Sequence, residues 1–122
     1  MLIIDMHCDT LDEIYKNNAR LYSNIFHVDL KRMRHSDHNY IQTFAIYLNP
    51  RVVGLKAFET CNKMIDYFSK EVELNKDDFK LCLSSKDIAS TKLGGLLSIE
   101  GAACLNNDLR NLQHFYDRGV RM

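Results

Sequence analysis

The stretch "LGGLLSIEGA" (residues 93–102) sets a carboxylate at the end of an otherwise apolar run. Leu96, Leu97 and Ile99 read as a strand buried on both faces, the pattern of a parallel sheet covered by helices. Glu100 closes the run, and Gly101 permits a tight turn just beyond it. A carboxylate beside such a strand is costly to bury unless it is paired or bound to a metal. The same position also reads as a solvent-facing loop residue.

Working outward, strand-like and helix-like runs alternate. Upstream, "LIID" (2–5) is a first strand, and "DTLDEIYKNN" (9–18) places Leu11, Ile14 and Tyr15 at helical spacing. Asp9 or Thr10 caps that helix, with Asp12 and Glu13 in its first turn. "SNIFHVDLKRMRHSD" (23–37) is irregular or a short helix, and "YIQTFAIYL" (40–48) is a buried strand stopped by Asn49-Pro50. A long helix from about Val53 to Val72 turns Leu55, Phe58, Ile65 and Phe68 toward a core. "FKLCLS" (79–84) is a short strand, and "SKDIAST" (85–91) a short helix after a serine cap. Downstream, "DLRNLQHFYDRG" (108–119) is a helix with Leu109, Leu112 and Phe115 on one face and Gly119 as its stop. "VRM" (120–122) starts another strand.

Strand and helix in alternation mean parallel strands with crossover helices, an α/β fold. The last helix returns to a strand of only three residues, so residues 1–122 are expected to form one partial domain of a larger barrel. A closed barrel of eight such units takes roughly 200 residues or more.

Composition narrows the function. Sixteen basic residues balance sixteen acidic ones, so no global field gathers nucleic acid or an anionic membrane. The densest basic stretch, "KRMR" (31–34), reads as a solvated helix or loop face. Cys8, Cys61, Cys82 and Cys104 are widely spaced with no C-x-x-C pair. That spacing argues against a zinc knuckle, a thioredoxin-like motif or a secreted disulfide framework, and points to reduced thiols in a cytoplasm. No signal peptide or transmembrane segment is expected, because the longest apolar stretch is short and interrupted by Glu100.

The opening "MLIIDMHCDT" (1–10) ends its strand in metal-competent groups. Strand alternation turns His7 and Asp9 one way and Cys8 the other. In α/β folds the site lies at the carboxyl ends of the strands. Imidazole and carboxylate are both donors to borderline and hard cations. His7-x-Asp9 reads equally as a polar strand end followed by a helix cap. Glu100 holds on its strand the place that His7 and Asp9 hold on theirs, so three donors from two strands of one sheet can converge.

These stretches, in order, resemble the amino-terminal part of the membrane (renal) dipeptidase family. The resemblance rests on "IIDMHCDTL", on "GLLSIEGA" and on "LRNLQHFYDRGVRM". "HVDLKRM" (27–33) and "IQTFAIYL" (41–48) are similar to the family's intervening segments. The resemblance covers essentially the whole chain but less than half of a family member. It implies a (β/α)8 barrel, zinc as cofactor, a dipeptide substrate and hydrolysis of its amide bond by a metal-activated water. It also implies His7 and Asp9 as ligands of one metal and Glu100 as the carboxylate bridging to a second. Asp5 fits the opening signature without a ligand role, since its neighbours put it on the same side but deeper.

The family's second-metal histidines and catalytic residues would follow Met122, in a missing carboxyl-terminal half or on a complementing chain. The 122 residues alone are therefore expected to be inactive and poorly stable. His27, His35, His38 and His114 read as surface histidines rather than replacements. Ala102 and Ala103 stand where family members often carry glycine and histidine, which weakens a substrate role for that loop. Two other functions compete. One is a barrel hydrolase of the amidohydrolase type, which usually opens with H-x-H. The other is a non-catalytic fragment. A flavodoxin-like domain fits poorly, because "DMHCDT" has no glycine for a phosphate turn.

Overall fold

A computed structural model describes residues 1–122. Its centre is a parallel sheet of strands β1 (Leu2–Asp5), β2 (Asn39–Tyr47), β3 (Lys80–Leu81) and β4 (Leu93–Glu100), in the order β1-β2-β4-β3. The helices are α1 (Thr10–Lys16), α2 (Leu30–Met33), α3 (Gly54–Leu74), α4 (Ser85–Ser90) and α5 (Arg110–Asp117). A 3₁₀ turn, Ala103–Leu105, follows β4. The parallel α/β class expected from the alternating runs is the one observed. β3 does not separate β2 from β4 but pairs on the far edge of β4, at Gly94 and Gly95. That same edge takes Val120 opposite Leu97 further along, so "VRM" contributes a single parallel bridge there and not a strand.

Why β2 and β4 form the centre follows from their side chains. Phe44, Ala45 and Ile46 on β2 are fully buried, and Leu93 to Ser98 on β4 are buried throughout. Helix α3 lays Met64, Ile65 and Phe68 into the main core beside Phe44 and Leu97. Phe44, Phe68 and Phe79 meet in one aromatic cluster, with centroids 5.1 Å (Phe44–Phe68), 6.1 Å (Phe44–Phe79) and 6.5 Å (Phe68–Phe79) apart. Gly95 makes room for it, since a Cβ there would lie 2.6 Å from the Phe79 ring. Burying side chains of this size contributes about 1.5–3 kcal/mol each.

Three residues expected on inward faces are exposed instead. Leu55 in the first turn of α3 is 61% exposed, whereas Ile65 and Phe68 are buried as expected. On α5 only Phe115 reaches the core; Leu109 and Leu112 face outward. β3 is also shorter than expected, two residues long. The short helix after a serine cap is present. Ser84 Oγ accepts the Asp87 N–H, and the Asp87 carboxylate accepts Ser84 Oγ–H and the Leu83 N–H, a reciprocal cap.

The segment between α1 and β2 has little regular structure but many anchors. The buried Glu71 carboxylate of α3 accepts the Leu21 N–H at 2.7 Å and pairs with Arg20 at 2.8 Å. The Tyr67 hydroxyl donates to the Ala19 carbonyl. Buried Asp29 caps α2 by accepting the Arg32 N–H at 2.7 Å, and also takes the Arg32 guanidinium and the Asn24 N–H. "KRMR" forms α2 and its cap. Its arginines are engaged, Arg32 with Asp29 and Arg34 with Asp78.

Candidate metal centre

β1 ends in a tight polar turn. The His7 N–H donates to Asp5 Oδ1 at 3.1 Å, and the Tyr40 hydroxyl donates to Asp5 Oδ2 at 3.3 Å. Asp5 is therefore an anchor of the turn. One residue later the chain rejoins β2, with Cys8 N–H donating to the Thr43 carbonyl at 2.9 Å and Ala45 N–H to the Cys8 carbonyl at 3.0 Å. The alternation of facing read from the sequence is seen in burial, although β1 itself ends at Asp5. Cys8 is buried while His7 and Asp9 on either side are exposed. Burial pushes the Cys8 thiol up to about 11, against the opposing hydrogen bonds from Thr10, so it stays protonated at neutral pH. Its side chain lies in the core cluster, whereas those of His7 and Asp9 are exposed.

Asp9 occupies the capping position of α1, and its carbonyl accepts the Glu13 N–H. Its side chain makes no capping hydrogen bond. The carboxylate faces His7 instead, with His7 Nε2 and Asp9 Oδ1 3.1 Å apart. The cap reading thus accounts for the backbone of Asp9 and not for its carboxylate.

Glu100 is the last residue of β4, in register with Tyr47 of β2. Gly101 beyond it takes φ +90°, a left-handed conformation that an L side chain rarely adopts, which turns the chain away at once. The Glu100 carboxylate is 54% exposed, so burial is not what sets its place. Its Oε2 lies 3.9 Å from His7 Nε2. One donor atom from each of His7, Asp9 and Glu100 falls within 4.8 Å of the other two. No other group of three or more histidine, cysteine, aspartate or glutamate side chains in the chain is so placed.

The remaining histidines stay apart from this cluster. His27 and His35 are exposed on the segment before β2, and His38 is half-buried. His114 is half-buried rather than a surface residue. Its Nε2 lies 2.8 Å from Asn62 Oδ1, and its ring stacks against Phe58. A structural partner is what makes His114 useful to the α3–α5 contact.

One imidazole and two carboxylates, gathered at the carboxyl edge of a parallel sheet, are groups that could hold a metal ion. The chain belongs to the membrane dipeptidase family, peptidase family M19, whose profile matches residues 1–122. It superposes on a solved metallopeptidase of that family, dipeptidase AC, with a TM-score of 0.87 and 23% identity, over 99% of this chain and 41% of that one. A second solved structure is a metallopeptidase from Rhodobacter sphaeroides liganded with a phosphinate mimic of the dipeptide L-Ala-D-Ala. It gives a TM-score of 0.85 and 21% identity, over 99% of this chain and 44% of that one. The chain thus spans less than half the length of the solved structures it matches. No curated protein matches the chain. No helix is long and apolar enough to cross a membrane.

Proposed function

We propose that residues 1–122 supply part of the metal centre of a zinc-dependent dipeptidase, as one portion of a single metallohydrolase barrel domain. The observation that carries this reading is the convergence of His7, Asp9 and Glu100 to within 4.8 Å from two strands that do not pair with each other. Their chemistry fits the ion, since a neutral imidazole and two carboxylates are ordinary zinc donors. His7 and Asp9 would hold one ion, and Glu100 would reach across toward a second.

When bound, zinc supplies Lewis-acid polarisation of an amide carbonyl and brings a water near neutrality for attack. The chain's own residues do the rest of what falls to them. Asp5 fixes the turn that aims His7 through its bond to the His7 N–H. His7 Nε2 and Asp9 Oδ1 already face each other at 3.1 Å, so the two donors would close on one ion with little movement. The second metal's remaining ligands and the proton-transfer groups belong to the length that the relatives have in addition. The 122 residues are therefore expected to bind metal without turning over a dipeptide. A cytoplasmic setting is part of the same reading, supported by four cysteines that are all free thiols.

The test is a zinc titration of the purified chain by calorimetry, paired with an assay on simple dipeptides. Stoichiometric binding that is lost in Glu100→Gln supports the proposal. Binding that is unchanged in Glu100→Gln and in His7→Ala would overturn it. Robust hydrolysis by these 122 residues would overturn the expectation that they are inactive alone.

A further inference from the structure

Cys61 and Cys104, far apart in the sequence, come together in the fold. Cys61 lies in the middle of α3 and is fully buried; Cys104 lies in the 3₁₀ turn after β4 and is 2% exposed. The 3₁₀ turn packs directly on α3, and both sulfurs sit in the same core cluster as Phe115. The two thiols influence each other: Cys61 is held toward its neutral form by Cys104 and by burial, while Cys104 is held toward its charged form by Cys61, so the two sulfurs differ in role.

The second observation is access. Cys104 lines an apolar cavity of about 300 Å³ that opens between the turn, α5 and Val120–Met122, with Ile99, Leu105 and Phe115 among its walls. A small neutral oxidant fits such a space, whereas a bulky disulfide does not. Cys8 and Cys82 have no partner of this kind. Cys8 contacts Thr10, and the Cys82 S–H points to the Lys80 carbonyl.

We propose that Cys61 and Cys104 form a peroxide-oxidisable dithiol, in which Cys104 is the attacking sulfur and Cys61 the resolving one. The Cys104 thiolate attacks one oxygen of a hydroperoxide. An S–O bond forms, the O–O bond breaks, and the leaving oxygen departs as alcohol or water after taking a proton. Cys104 is now a sulfenic acid, oxidised by two electrons while the peroxide is reduced by two. The Cys61 sulfur then attacks the Cys104 sulfur, the S–OH bond breaks, and water leaves with the Cys61 proton. The product is a disulfide that ties the turn after β4 to α3. Gly101, with φ +90° and open space around it, lies between that turn and Glu100 and takes up the adjustment.

The experiment is brief exposure of the native protein to stoichiometric hydrogen peroxide, followed by alkylation under denaturing conditions and peptide mass mapping. The expected result is a peptide pair joined through Cys61 and Cys104, lighter by two hydrogens, with Cys8 and Cys82 still fully alkylated. In Cys61→Ser the cross-link disappears and Cys104 is left as a sulfenic acid, trapped by dimedone. A cross-link through Cys8 or Cys82 would overturn the proposal. So would Cys104 remaining a free thiol while Cys8 or Cys82 is oxidised, or no oxidation of any of the four. The mapping on the unmodified sequence decides the matter even where Cys61→Ser fails to fold.

Discussion

His7 Nε2 and Glu100 Oε2 lie 3.9 Å apart although β2 stands between the strands that carry them. Their meeting depends on reach from strand ends, over the top of β2. Neither side chain is buried, at 52% and 54% exposure, so neither is held there by packing. Two carboxylates facing one imidazole in an open site is an arrangement that a cation would complete.

Because Asp9 caps α1 through its backbone alone, its carboxylate is separable from the fold. Asp9→Asn is expected to leave thermal stability within about 0.5 kcal/mol. Zinc affinity in the same variant should fall at least about tenfold. Calorimetric titration and thermal unfolding of one preparation read both quantities. A large stability loss with unchanged affinity would reverse the assignment.

Asp29 is a buried cap whose environment acts in opposing directions. Burial raises its pKa, but the N–H donors of Arg32 and Asn24 and the Arg32 guanidinium outweigh this, and the net shift is downward from 3.8. A folded pKa below the unfolded one contributes stability that is complete above the unfolded value and is lost as pH falls through the folded value. Asp29→Ala should cost about 1–2 kcal/mol at neutral pH. The deficit should shrink as pH drops below the ordinary carboxylate range. Chemical denaturation at several acidic pH values checks the sign.

Glu71 joins α3 to the irregular segment before β2 through the Leu21 N–H and Arg20. Removing its carboxylate strands a buried N–H donor. Glu71→Ala is expected to destabilise by about 1–3 kcal/mol. Hydrogen exchange should show the Leu21 amide losing protection before the amides of β2 and β4 do.

Gly95 is required by the Phe79 ring, not by its backbone. The nearest atom to an added Cβ would be 2.6 Å away, on Phe79. Gly95→Ala should cost about 1–3 kcal/mol through overpacking. Phe79→Leu in the same chain should recover part of that loss. Thermal unfolding of the single and double variants provides the test.

Much of this was legible in the residues. β1 ran Leu2–Asp5 as read, because apolar residues end abruptly at charge, and β2 and β4 fell within a residue or two of their expected limits. The Ser84 cap announced α4. The face of α5 was misread because Leu109 and Leu112 keep helical spacing without having a surface to cover; periodicity reports a stripe and not its partner. The order of β3 was not visible, since two residues carry too little pattern to place a strand. At the centre, the alternation at His7, Cys8 and Asp9 was readable from strand geometry. The distance from His7 to Glu100 was not, because it depends on how two strands align across a third. The meeting of Cys61 with Cys104 escaped for the same reason, being a contact between a helix and a turn with no local signature.

β2 matches Ile4 with Ile41 on one side and Gly94 with Ile41 on the other. A slip of one residue on either side would invert the facing of every side chain on the slipped strand. The donor triad is therefore a readout of alignment across three strands at once. A cation held by all three donors depends on both neighbours being docked on β2, and would tie them together across it.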